Sequence, residues 1–228
     1  MVPRALDPTG VILVDKQAGP SSFKIVAEVR RRTGARTGHA GTLDPFATGL
    51  LVLLSGRATR LASQFVGLDK RYLTDVDLRA RTSTGDPEGD IVEERQPPSV
   101  DELELQLERL RGEVELRIPA ASAVKIRGER AYRLHRKGID VEMPFRRSRI
   151  EALDLVAYED GVATLDTRVS SGTYVRSIAD VLGGHCRTLR RLTVGPFSVE
   201  ETDPNRIVPV DEALARIEAG VHARGAHR

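Results

Sequence analysis

The chain has 228 residues, 40% of them hydrophobic, with 35 Lys/Arg against 33 Asp/Glu and a formal net charge of +2. This is enough apolar material for a real core. The longest clean apolar run, residues 50–54, is far too short for a membrane span, and the N-terminus has no signal-peptide core, so a cytoplasmic protein with no membrane partner is expected. A single cysteine, Cys186, excludes an internal disulfide or a paired-thiol metal site and fits a reducing compartment.

Gly10-Val11-Ile12-Leu13-Val14-Asp15-Lys16 reads as a buried strand, four apolar residues bounded by glycine and by charge. Gly19-Pro20-Ser21-Ser22 turns into a helix with Ser22 as N-cap, Ile25, Val26 and Val29 on its apolar face, and Arg30-Arg31-Arg32 before Gly34 at its end. Residues 50–54 form a short buried element, and residues 70–78 a strand by the alternation of Tyr72, Thr74, Val76 and Leu78. Residues 82–89 have loop composition. Ser99 with Glu102 makes a capping-box pattern for a second helix, on which Leu103, Leu107 and Leu110 recur at helical spacing.

Residues 150–157 and 162–169 predict a hairpin across Glu159-Asp160-Gly161, and residues 171–176 a strand entering a helix that ends at Gly183-Gly184. A last helix is expected from about Asp211 to Ala219, with Val210, Ala213, Leu214 and Ile217 inward, Gly220 as its stop and residues 221–228 as a disordered tail. Strands and helices mix without a regular βαβ rhythm. The expected fold class is therefore α+β, with a mixed, largely antiparallel sheet in one domain over residues 1–220.

Charge is unevenly distributed. Residues 117–149 hold ten Lys/Arg against three acids, whereas acids gather in residues 86–94, 101–115 and 151–166. A basic stripe on a nearly neutral protein points to a polyanion footprint, because neutralising phosphates releases counterions. A solvated charged face is the alternative.

Metal chemistry is poorly supported, since His39, His135, His185, His222 and His227 show no paired ligand spacing. No phosphate-loop or dinucleotide fingerprint follows a candidate strand, and no Gly-x-Ser-x-Gly elbow is present. What remains is the segment around Asp44. Pro45 biases Asp44 away from the α conformation, while Gly38, Gly41 and Gly49 allow a tight backbone and close approach of a ligand. The carboxylate is thus held out on a rigid loop, with Thr42 and Thr48 placed to orient it. An isolated Asp-Pro would do no more than begin a turn.

The whole string Gly38-His39-Ala40-Gly41-Thr42-Leu43-Asp44-Pro45-Phe46-Ala47-Thr48-Gly49-Leu50-Leu51 resembles the signature of the TruB family of pseudouridine synthases, which isomerise a uridine in the T loop of tRNA, position 55. Residues 10–16 resemble the family's opening strand, Asp69-Lys70-Arg71-Tyr72 its tyrosine motif, Ser171-Gly172-Thr173-Tyr174-Val175-Arg176 its arginine motif, and Leu189-Arg190-Arg191-Leu192 its late leucine motif. The five occur in the family's order across about residues 10–197.

The resemblance implies a pseudouridine synthase fold with a basic RNA-gripping thumb over residues 117–149. Lys125, Arg127, Arg130, Arg133, Arg136 and Lys137 would contact RNA, and Ala121 stands where an aromatic residue is usual. It implies Asp44 as the catalytic carboxylate, acting as a nucleophile on ribose or base or as a base drawing a sugar proton, and Arg176 as its charge partner. Tyr72 would stack on the flipped uracil and help remove the C5 proton. His39 would border the space the nucleotide leaves, Leu189 would pack on uracil, and Tyr174, Lys16 and Thr42 would complete the pocket. No cofactor and no metal are implied, because isomerisation exchanges an N-glycosidic for a C-glycosidic bond without redox change. The partner is the tRNA T stem-loop and the expected state a monomer. Most family members carry a further PUA-like RNA-binding domain, which this chain is expected to lack. The alternative from another class is a non-catalytic RNA-binding or RNA-folding protein on the same fold. The joint presence of Asp44, Tyr72 and Arg176 favours catalysis over it.

Overall fold

The computed structural model describes residues 8–225. They divide into two compact units, one formed by the chain up to Arg71 together with the chain from Arg190 onward, the other by Tyr72–Leu189. In chain order the elements are β1 (Gly10–Lys16), α1 (Ser22–Thr33), β2 (Thr37–His39), β3 (Thr48–Ser55), α2 (Ala62–Val66), β4 (Lys70–Asp77), β5 (Ala80–Thr82), β6 (Ile91–Glu94), α3 (Val100–Leu110) and β7 (Gly112–Arg117). They continue with β8 (Lys125–Ile126), β9 (Glu129–Arg130), α4 (Ala131–Arg136), β10 (Phe145–Glu159), β11 (Val162–Val169), α5 (Val175–Val181), β12 (His185–Val194), β13 (Phe197–Ser198) and α6 (Val210–Gly225).

In the first unit β3 is the hub. Its apolar run is buried on both faces, as a continuous hydrophobic strand requires. β1 pairs antiparallel along one whole edge, from Gly10↔Ser55 to Lys16↔Gly49. The opposite edge is shared. β2 takes its far end, Thr37↔Ser55 to His39↔Leu53, and β12 runs parallel to its near end at Arg190↔Thr48 and Arg191↔Gly49. Residues 40–47 therefore leave the edge of β3 after Ala40 has donated to Val52 O (2.9 Å), next to where Arg190 and Arg191 arrive. Behind this sheet Val11, Leu13, Leu50, Val52, Leu54, Phe65 and Phe197 form the core, with Val210, Leu214 and Ile217 of α6 packed on it as the sequence predicts.

Two expectations for the helices of this unit need correction. The N-cap of α1 is Ser21, whose side chain accepts from Lys24 N, while Ser22 is already inside the helix and buried. Helix α6 does not stop at Gly220 but runs to Gly225. One interior glycine costs a helix about 1 kcal/mol, too little to end one anchored on a core. Residues 226–228 of the expected tail lie outside the described residues.

In the second unit the neighbouring strands are β12, β4, β11, β10 and β7. β10 pairs antiparallel with β11 across the predicted Asp160-Gly161 turn and with β7 on its other edge. The capping box of Ser99 and Glu102 is formed, and Leu103, Leu107 and Leu110 are the buried face of α3. Because Arg117 and Phe145 are register partners, residues 118–144 are looped out from between two paired strands. This insertion has a small core of its own, Ile118, Ala131 and Met143, with Tyr174 packed against it. Residues 171–176 are not a strand. The polar run after β11 closes a turn, Thr173 N donating to Ser170 O (3.3 Å), and α5 starts at once with Tyr174 as its N-cap. Tyr174 and Arg176 thus do not share a strand face. The fold is α+β with a mixed, mostly antiparallel sheet, as expected.

Gly49 permits the approach of β3 and β12. Its φ is +98°, and a Cβ there would lie 2.3 Å from the backbone oxygen of Arg191. Neither strand can yield cheaply, so Gly49→Ala should lower unfolding free energy by at least about 2 kcal/mol in urea titration. A change within 0.5 kcal/mol would contradict this packing.

Candidate active site

The segment carrying Asp44 has few sheet partners of its own, yet side chains from three distant parts of the first unit capture its backbone. Arg191, 1% exposed, donates from Nε to Leu50 O (2.7 Å), from Nη2 to Gly41 O (3.1 Å) and from Nη1 to Thr42 O (3.5 Å). Lys16, equally buried, donates from Nζ to Ala47 O (2.6 Å), Pro45 O (3.0 Å) and Gln17 O (3.0 Å). The Ser22 hydroxyl donates to Leu43 O and accepts from Leu43 N, both at 2.9 Å. Gly19 N adds a bond to Pro45 O (2.9 Å), and Ala47 N donates to Asp44 O (3.2 Å). Asp44 is half-buried at the middle of this anchored stretch, beside the buried Leu43. Thr42 is exposed, its carbonyl held by Arg191.

His39 ends β2 and makes an edge-on contact with Phe23 of α1, ring centroids 5.1 Å apart at 76°. Phe23 itself is 70% exposed. Burial and then the Arg191 charge push the His39 pKa down, so its ring is neutral at pH 7. Lys70 adds a third buried cation to this unit, with Nζ donating to Val66 O (2.6 Å) and to Leu68 O.

In the second unit Arg176 sits in the first turn of α5 and is 2% exposed. Its Nη1 donates to Thr84 O (2.7 Å) and lies 3.3 Å from Asp86 Oδ2, while Nη2 donates to Ala121 O (2.9 Å). Asp86 is itself held by Thr84 Oγ1 (2.6 Å) and Glu88 N (3.1 Å). Residues 82–89 are thus a built socket for a guanidinium, not merely a loop. Tyr72 is buried on β4, and Leu189 is buried on the neighbouring β12. Tyr174 belongs to the core of the insertion. All six expected RNA-contacting cations, Lys125, Arg127, Arg130, Arg133, Arg136 and Lys137, are exposed, and Arg133 and Arg136 flank the Tyr132 ring at 5.9 and 5.7 Å.

The expected site residues therefore fall into two sets. The first unit brings together His39, Thr42, Asp44 and Lys16; the second holds Tyr72, Arg176, Tyr174, Leu189 and the thumb cations. Sequence reasoning missed Ser22 as a holder of the loop, Arg191, Lys70 and Asp86. Only Arg191 left a signal, since it falls two residues after Leu189 on a strand and so on the same buried face. Among the described residues no group of three or more His, Cys, Asp or Glu is placed to hold a metal ion, and no helix is long and apolar enough to cross a membrane.

The family model for TruB family pseudouridylate synthase (N terminal domain) matches residues 29–175. The chain belongs to this family. Among TruB relatives, the tRNA pseudouridine synthase B of Corynebacterium jeikeium is 41% identical over 92% of this chain and 77% of its own length. That of Syntrophobacter fumaroxidans is 38% identical over 95% and 78%, and that of Thermobifida fusca 39% identical over 96% and 85%. Among solved structures, a chain of a Cbf5–Nop10–Gar1 complex superposes with a TM-score of 0.65 at 26% identity, covering 84% of this chain and 50% of that one. A chain of an H/ACA ribonucleoprotein bound to a substrate RNA gives 0.62 at 23% identity and supports the fold alone. This TruB chain spans about half the length of those solved chains.

The buried cations of the TruB chain have a measurable signature. Burial first, then the Arg191 charge, push the Lys70 pKa from 10.5 down to about 8, against the opposing pull of Asp69. Between those values the unfolded chain binds more protons than the folded one, so Lys70 makes stability rise with pH across that window; below about 8 its charge is a full penalty. A titration of the Lys70 Cε resonance should have its midpoint near 8, and a midpoint at 10.5 would contradict the burial.

Proposed function

We infer that this chain isomerises uridine to pseudouridine in tRNA, at the T-loop uridine of position 55, with Asp44 as the catalytic carboxylate. The observation that carries the reading is the anchored segment 41–47, which presents one carboxylate on a backbone held at Gly41, Thr42, Leu43, Pro45 and Ala47. Relatives covering over nine-tenths of the chain are named tRNA pseudouridine synthase B.

The reaction breaks the N1–C1′ bond, turns the uracil and forms C5–C1′, while N1 gains a proton and C5 loses one. Atoms balance without an electron acceptor or a donated group. The target base must leave its stack, at a cost of a few kcal/mol, to reach a side chain. Tyr72 offers a face for the extruded uracil and Leu189 an apolar wall. Neutral His39 borders the vacated space, a role that its lowered pKa suits, because an uncharged ring replaces a base without desolvating a cation. Asp44 attacks ribose or base, or draws a sugar proton; the reading assigns it Arg176, whose guanidinium also meets Asp86, as its charge partner in the reaction. Tyr174, Thr42 and Lys16 support the pocket. The exposed cations of residues 118–144 grip phosphates, the largest sequence-independent contribution to RNA affinity. Action as a monomer in the cytoplasm belongs to the same reading.

With Asp44→Asn, pseudouridine formation on an unmodified tRNA transcript should fall more than about a thousand-fold while tRNA affinity persists. Turnover retained by this variant would move the chemistry elsewhere. Wild-type binding with no turnover at all would favour an RNA-binding protein. Replacing Lys125, Arg127 and Arg133 together by Gln should weaken binding and flatten the plot of log affinity against log salt by roughly 0.7 to 0.9 per lost phosphate contact. An unchanged slope would remove these residues from the interface.

A further inference from the structure

We propose that Ser22 is a positioning residue for Asp44: its hydroxyl locks the Leu43 peptide and so sets the backbone from which the catalytic carboxylate projects. The inference rests on the assignment of Asp44 above and adds a residue on a different element, 22 positions earlier in the chain.

The geometry is unusual for a serine at a helix start. Ser21 already caps α1, so Ser22 has no capping duty and turns inward, 1% exposed. Its oxygen meets both polar groups of a single residue, donating to Leu43 O and accepting from Leu43 N at 2.9 Å each. The separation of N and O within one residue depends on ψ, and the direction of its N–H on φ. A single hydroxyl that bonds both fixes both torsions of Leu43. The plane of the Leu43–Asp44 peptide follows from them.

The other flank of Asp44 is fixed independently. Pro45 restricts Asp44 to extended conformations, and Pro45 O is held by Lys16 and by Gly19 N. With Leu43 released, Asp44 would keep its C-terminal anchor, but on its N-terminal side the nearest remaining holds would be those of Arg191 on Thr42 O (3.5 Å) and Gly41 O (3.1 Å). The Leu43 side chain, 3% exposed, would remain as an apolar plug, so the segment would stay in place while its peptide planes rotate. Such a loss lowers stability, because the Leu43 N–H and carbonyl lose a buried partner, but it leaves RNA grip untouched, and a rate that falls without affinity separates positioning from mere stability. Displacements of about 1 Å at a reacting group cost on the order of a hundred-fold in rate.

The test is single-turnover kinetics on an unmodified T stem-loop RNA, with the dissociation constant measured in parallel. Ser22→Ala should lower the rate constant by about ten- to a hundred-fold and leave RNA affinity within about twofold. Ser22→Thr, which keeps the hydroxyl, should recover most of the rate, and Ser22→Cys, similar in size with a weaker donor, should fall between. Ser55 supplies the control, a buried hydroxyl on β3 with no hydrogen-bond partner among the described residues. Ser55→Ala should turn over at the wild-type rate. A wild-type rate constant in Ser22→Ala, or equal losses in rate and affinity that neither Thr nor Cys restores, would overturn the proposal. If Asp44→Asn keeps full activity the reading of Asp44 fails first; if it is inactive while Ser22→Ala is unimpaired, only the role of Ser22 fails.

Discussion

Everything in the first unit that bears on chemistry depends on the capture of loop carbonyls by buried donors. Residues 41–47 need partners for peptide groups that no strand supplies, and Lys16 and Arg191 need acceptors for charges that no water reaches. Each solves the other's problem. Neither side can be withdrawn without leaving a buried charge or a buried carbonyl unmatched, a change that typically costs several kcal/mol. This mutual dependence makes the segment rigid although it is a loop. It also explains why β12 has to run parallel to β3 at its near end, since that pairing delivers Arg191 beneath the turn.

The second unit uses the same device around Arg176. Its guanidinium is buried among the carbonyls of Thr84 and Ala121 and the carboxylate of Asp86, and the insertion begins within reach of it. The bond to Ala121 goes to a backbone oxygen, which any residue supplies. The alanine at this position therefore leaves this tie intact. Beyond it, residues 118–144 have only a small core of their own.

Local patterns were legible and long-range ones were not. β1 and β3 could be read because four or more consecutive apolar residues need a buried strand, and α3 because Ser99 and Glu102 satisfy each other three residues apart. Ser22 was misread because Ser21 and Ser22 have the same capping chemistry, and only the inward turn of the second distinguishes them. Residues 171–176 misled because Tyr174, Val175 and Arg176 fit a strand as well as the first turn of a helix. Asp44 stood out through its surrounding string of residues. Of its holders only Lys16 stood out, and only through the family resemblance, since an arginine beside another arginine reads as surface charge until its carbonyl partners, up to 150 positions away, are in place. Asp86 was hidden within a segment whose composition marks it simply as a loop.

The most direct test of the account is tritium release from a tRNA transcript labelled at C5 of uridine. Formation of the C5–C1′ bond expels the hydrogen at that carbon and no other uridine chemistry is required. Incubation with this protein should release one equivalent of tritium per tRNA, all from the T-loop uridine, and the label should be retained when that uridine is replaced by cytidine. Binding of the transcript with no release, or release from uridines throughout the tRNA, would contradict the account.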